Sequence, residues 1–108
     1  MRSIVRRAAG SAVVVALLSV PAVLAQTPAT VTVRDFAFQP RDLTVPPGAT
    51  VRWTNQDGTP HQVESDDGTV VGTVMGTGEI FAFTFNAPGR VTYHCAIHPS
   101  MTGAVIVQ

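Results

Sequence analysis

Apolar and polar residues alternate one for one through most of this chain. "TVTVRDFAF" sets Val31 and Val33 on one side and Thr32 and Arg34 on the other. "ATVRWTN" pairs Val51 with Trp53, "IFAFTF" lines up Phe81, Phe83 and Phe85, and "VTYHC" sets Val91, Tyr93 and Cys95 against Thr92 and His94. A period of two is that of a strand with one face on a core. "DLTV", "HQVE" and "GAVIVQ" read as further short strands. Turn signals separate them at Pro46-Pro47-Gly48, at Asp66-Asp67-Gly68 and in "NAPGR". "TVVGTVMGTGEI" is glycine-rich and reads as part strand, part loop. No helical periodicity stands out after the first 25 residues. The expectation is one all-β domain, a small sandwich or barrel of two packed sheets, without linkers or internal repeats.

The first 25 residues follow another logic. Arg2, Arg6 and Arg7 precede the apolar run "AAGSAVVVALLSV", and Val23 and Ala25 are small residues before a cut at Gln26. This is the layout of a secretory signal peptide, so residues 1–25 are expected to be removed and 26–108 to form the folded domain. The run is short for a membrane span of about 20 residues, and Pro21 interrupts its end. The Arg6-Arg7 pair alone is a weak hint of twin-arginine export. Three of the seven cations lie in residues 1–25 and all seven acids follow them, leaving four against seven, a net −3 with histidine neutral. There is no lysine and no basic stripe, which argues against nucleic acid as a partner. An exported domain of this size often relies on disulfides, but a single cysteine cannot make one within the chain. A metal is another way to supply the missing constraint.

That cysteine lies in "YHCAIHPSM", with His98 three residues on and Met101 three further. Each residue alone has an ordinary explanation: a buried thiol as a small apolar residue, a turn histidine, a gap-filling methionine. Together they close a strand late in a small β domain, and His61 waits in a separate loop at the head of "HQVE". Loops at one end of a sandwich converge, so one thiolate, two imidazoles and one thioether can meet. Two histidines and a cysteine in a plane with a long axial methionine describe a blue-copper electron-transfer site. Thiolate and thioether favour Cu(I), imidazole accepts Cu(II), and a rigid frame serves both states. Strand alternation turns His94 away from the metal.

"VPPGATVRWTN", "TPHQV", "FNAPGRVTYHCAIHPSM" and "GAVIV" together resemble the cupredoxins, closest to the amicyanin and plastocyanin–pseudoazurin group. The two-residue gap between His98 and Met101 is similar to the short ligand loop of amicyanins. The resemblance implies a Greek-key cupredoxin-like sandwich holding one copper ion on His61, Cys95, His98 and Met101. It implies a periplasmic carrier of single electrons that is not an enzyme. It gives the exposed edge of His98 the role of electron entry and exit, with Pro60, Pro99 and Met75 as candidates for an apolar surface around it. The family usually has asparagine after the first ligand histidine, tying the two ligand loops together. Here that residue is Gln62, and Asn55 lies too far back to be assumed its substitute.

The negative charge suits a redox partner with a basic face, such as a c-type cytochrome or a periplasmic dehydrogenase. Asp66 and Asp67 either contribute to that contact or form a solvated turn. No membrane span is expected in the mature form, which reads as a monomer. A periplasmic copper storage or delivery protein remains the alternative, and zinc fits the same ligands without redox function. A thiol hydrolase built on Cys95 is disfavoured, because the chain is short for a cleft and lacks paired carboxylates.

Overall fold

A computed structural model describes residues 28–108, with Gly10 alone before them. The leader expected over 1–25 therefore lies, but for Gly10, outside the described residues. Among the described residues no helix is long and apolar enough to cross a membrane. Eight strands follow in order: β1 (Ala29–Arg34), β2 (Ala37–Gln39), β3 (Asp42–Val45), β4 (Ala49–Asn55), β5 (Val63–Ser65), β6 (Ile80–Phe85), β7 (Gly89–Cys95) and β8 (Thr102–Val107).

They form two mixed sheets, ordered β2-β1-β4-β6 and β3-β8-β7-β5. β1 runs parallel to β4, and β3 parallel to β8; the remaining neighbours are antiparallel. The chain leaves the first sheet after β2, lays β3 in the second, and returns as β4. Parallel neighbours need such a crossover, because a two-residue turn only joins antiparallel strands. The all-β sandwich read from the alternation is what forms. The segment 71–79 is mostly loop, anchored by bridges of Val71 to Glu64 and of Met75 to His61.

The inward rows meet in one core of Val31, Val33, Val51, Trp53, Val63, Tyr93, Val105 and Val107, all nearly or fully buried. Trp53 sits at its centre, stacked on Phe81 at 5.6 Å and edge-on to Tyr93 at 5.5 Å. Tyr93 faces Gly103 across the β7–β8 ladder. A Cβ at Gly103 would lie 2.5 Å from the Tyr93 ring, so only glycine lets the ring lie against that strand. The Trp53 Nε1 and Tyr93 hydroxyl are buried without hydrogen-bond partners.

Burial pushes the Tyr93 hydroxyl up to about 12, with Trp53 partly offsetting the rise. An unfolded tyrosine ionises near 10. Below pH 10 both states hold the proton and stability is unaffected. Between pH 10 and 12 only the unfolded chain loses it. Stability should then fall by about 2 kcal/mol by pH 12, at up to about 1.4 kcal/mol per pH unit. Denaturant unfolding of the metal-free protein at pH 9 and pH 12 measures this. The difference should shrink by most of that amount in Tyr93→Phe, and an unchanged difference would refute the assignment.

Candidate metal centre

β1, β4 and β7 end, and β2, β5 and β8 begin, at the same end of the sandwich, so the segments 35–36, 56–62, 72–79 and 96–101 gather there. His61 enters from the loop after β4, Cys95 is the last residue of β7, and His98 lies in the turn before β8. Their Nδ1, Sγ and Nδ1 atoms lie within 4.8 Å of one another. The sulfur is 3.6 Å from His61 Nδ1 and 4.0 Å from His98 Nδ1. An ion holding nitrogen at about 2.0 Å and sulfur at about 2.3 Å in a trigonal plane sets those donors about 3.7 Å apart. The two nitrogens thus lie about as far from the sulfur as a shared ion requires, and the soft sulfur and borderline nitrogens suit copper.

The frame around them fixes each donor. His61 is fully buried, and its backbone pairs both ways with Met75, N–H to O at 3.1 and 2.8 Å. Its Nε2 donates to Asp57 Oδ2 at 2.9 Å. Burial raises the Asp57 carboxyl, but the Phe36 N–H, the His61 ring and the Asp35 N–H outweigh it and hold the group below its usual range. An ionised carboxylate only accepts, so the imidazole proton sits on Nε2 and Nδ1 keeps a free lone pair facing the sulfur. Cys95 is fully buried, and its sulfur accepts the Gln62 N–H at 3.5 Å. The short loop is closed by its own backbone: Met101 N–H donates to His98 O, and Cys95 N–H to Met101 O, both at 3.0 Å. Met101 is itself 4 % exposed.

Other residues singled out in the sequence fall differently. His94 turns to the opposite face of β7 and bonds Asp66 at 2.6 Å and Glu64 at 3.1 Å. The bond to Asp66 raises its pKa; partial burial opposes the rise and Glu64 supports it. Asp66 is therefore engaged in this pair, and Asp67 accepts from Ser65 and Thr69. Met75 is 0 % exposed, so it belongs to the core behind His61 and not to an apolar surface. Its backbone bridge to His61 turns the side chain inward, which a glycine-rich segment without periodicity did not reveal. The Gln62 side chain reaches Gly72 O at 2.8 Å and leaves the tie between ligand loops to its own backbone, whose carbonyl accepts from Ala96 N–H at 2.9 Å. Asn55 does lace loops together, though different ones: its Nδ2 donates to Thr59 O and Met75 O, and its Oδ1 accepts from Asp57 N–H.

Two residues of the site escaped the sequence. Asp57 precedes His61 by four positions, and that spacing was its only local signal. Phe36 lies edge-on to both His61 and His98, with centroids 5.3 and 5.2 Å away. Nothing in its neighbourhood in the sequence pointed to either ring.

A family model described as a Cupredoxin-like domain matches residues 8–107. Amicyanin-alpha of Methylorubrum extorquens is 34% identical over 76 residues, covering 66% of this chain and 64% of that protein. Amicyanin of Paracoccus versutus is 38% identical over 72 residues, covering 62% and 54%. Plastocyanin of Physcomitrium patens is 32% identical over 84 residues, covering 66% and 50%. The chain thus spans between half and just under two-thirds of the length of these curated relatives. A solved structure of a reduced Cu(I) amicyanin variant superposes with a TM-score of 0.72 at 29% identity, covering 75% of this chain and 82% of that one. Sheet order, donor geometry and these matches agree, and the chain belongs to the cupredoxin-like family.

Proposed function

We propose that this protein is a type 1 copper carrier of single electrons and not an enzyme. His61 and His98 would hold the copper ion through imidazole nitrogens, Cys95 through its thiolate and Met101 through its thioether. The observation that carries the reading is the convergence of three donors from two separate stretches of chain, with both nitrogens about as far from the sulfur as a shared ion requires. Copper, when bound, supplies a one-electron couple between Cu(II) and Cu(I). The residues of this chain do the rest. Asp57 keeps His61 in one tautomer, and the Gln62 N–H draws charge from the sulfur. The buried frame fixes His61 and Cys95, and the backbone-closed loop carries His98.

His98 is half-buried, and its loop also exposes Ile97 and Pro99; Pro60 is exposed beside His61. That edge suits brief contact with a redox partner. The net negative charge favours a basic face on the partner, such as that of a c-type cytochrome or a periplasmic dehydrogenase. The signal-like residues 1–25 favour export to the periplasm, and the protein is proposed to act there as a monomer. Deep burial of His61, Cys95 and Met101 favours electron transfer over storage or delivery, since a delivery site must pass its ion to a competitor.

Adding Cu(II) to residues 26–108 should give an intense blue colour that bleaches with ascorbate and returns on oxidation. A colourless or faint adduct would overturn the reading in favour of zinc binding or copper handling.

A further inference from the structure

Phe36 is unusual on two counts. It is a large apolar side chain 52 % exposed to solvent. It and Asp35 form a pair of non-glycine residues in the left-handed region, at φ 54° and 53°. Such residues are strained and are kept only where their surroundings enforce the conformation. The enforcement comes from Asp57, whose Oδ1 accepts the Asp35 N–H at 2.7 Å and whose Oδ2 accepts the Phe36 N–H at 3.0 Å. The same Oδ2 takes the His61 ring proton. One carboxylate therefore fixes the turn that carries Phe36 and the imidazole that Phe36 covers.

The ring meets both candidate ligands at near right angles, 87° to His61 and 89° to His98, at distances normal for edge-to-face aromatic pairs. His61 and His98 also touch each other at 5.2 Å. The three rings make a closed cluster at the surface, two bearing donor atoms and one bearing none.

Resting on the copper reading above, we propose that Phe36 is a positioning residue: an aromatic cover, pinned by Asp57, that holds both imidazoles in place and keeps water from them. Its effect on the couple follows from charge. The oxidised centre carries one more positive charge than the reduced one, and an apolar cover disfavours the higher charge. Removing the cover admits water and favours the oxidised state. Loss of a partner in contact with metal ligands commonly changes metal equilibria by about tenfold or more. Phe36→Ala should therefore shift the Cu(II)/Cu(I) equilibrium about tenfold towards Cu(II), which is about 59 mV for one electron.

Two measurements on Phe36→Ala and Asp57→Asn test this. The first is proton NMR of the metal-free proteins. Phe36→Ala should move the ring-proton signals of both His61 and His98, because both lose the same ring current. Asp57→Asn should move them in the same direction, since an amide cannot accept from both backbone N–H groups and the imidazole and the cover is released. Signals that stay put in either variant would overturn the proposal. The second is the reduction potential of copper-loaded Phe36→Ala. A lower potential with the blue colour retained supports the cover, and an unchanged potential with the colour retained overturns it. If the unsubstituted protein shows no blue colour, the copper reading fails, and the NMR of the metal-free proteins still decides the cover.

Discussion

Replacing Cys95 with serine will abolish the intense visible absorption of the copper-loaded protein. The colour requires a thiolate bound to Cu(II), and serine offers a hard, protonated oxygen in its place. The two imidazoles remain, so weak copper binding is expected to persist with only faint colour and no ready cycling under ascorbate. The metal-free fold should survive. The Cys95 sulfur is within 3.5 Å of the Gln62 N–H and 3.6 Å of His61 Nδ1, so a buried hydroxyl finds a donor and an acceptor there. Such a satisfied exchange costs on the order of 1 kcal/mol. The spectrum and a thermal melt of the metal-free variant separate the two effects. An intense blue form of Cys95→Ser would mean that the colour arises elsewhere, and unfolding of the metal-free variant would mean that the thiol is chiefly a core residue.

The second large effect is expected at Trp53, in the core. Its indole is fully buried and touches Phe81, Phe85 and Tyr93, so it links the two sheets. Truncation of a buried tryptophan to alanine removes its transfer free energy and leaves a cavity, together about 3–5 kcal/mol. Domains of this size have about 5–15 kcal/mol in all. At about 4–8 °C per kcal/mol, the metal-free melting temperature should drop by at least about 12 °C. The copper-loaded form should lose less of its folded population at working temperature, because binding to the native state alone adds stability by mass action. The blue spectrum should be largely unchanged, since the donors are carried by the loop after β4, the end of β7 and the turn before β8. A small drop in melting temperature would show that the sheets close over the gap, and a changed spectrum would tie the core to the site.

Much of the fold was legible because strand alternation is a local property. Val51 and Trp53 of β4, and Tyr93 and Cys95 of β7, are inward as the period of two requires. Cys95 and His98 were legible for a different reason, a short spacing of residue types whose joint chemistry is narrow, and His61 joined them by its type and its place in a separate loop. Met75 misled because a glycine-rich segment has no period to read, and its burial is decided by a bridge to His61. Gln62 was recognised as a departure, but which carbonyl its amide would reach was not.

The β class, most of the strands and the three donor residues could be read from the chain alone, because periodicity and ligand chemistry are carried by residue types and short spacings. The run "TVTVRDFAF" read as one strand, and the structure turns it at Asp35 and Phe36 into β1 and β2. What surrounds the donors was settled by packing. Asp57 reaches back 21 and 22 residues to pin the turn at Asp35 and Phe36, and Phe36 then lies across two rings contributed by two other loops. Contacts at such separations depend on how the sheets register and on left-handed backbone at two ordinary residues, neither of which leaves a local pattern in the chain.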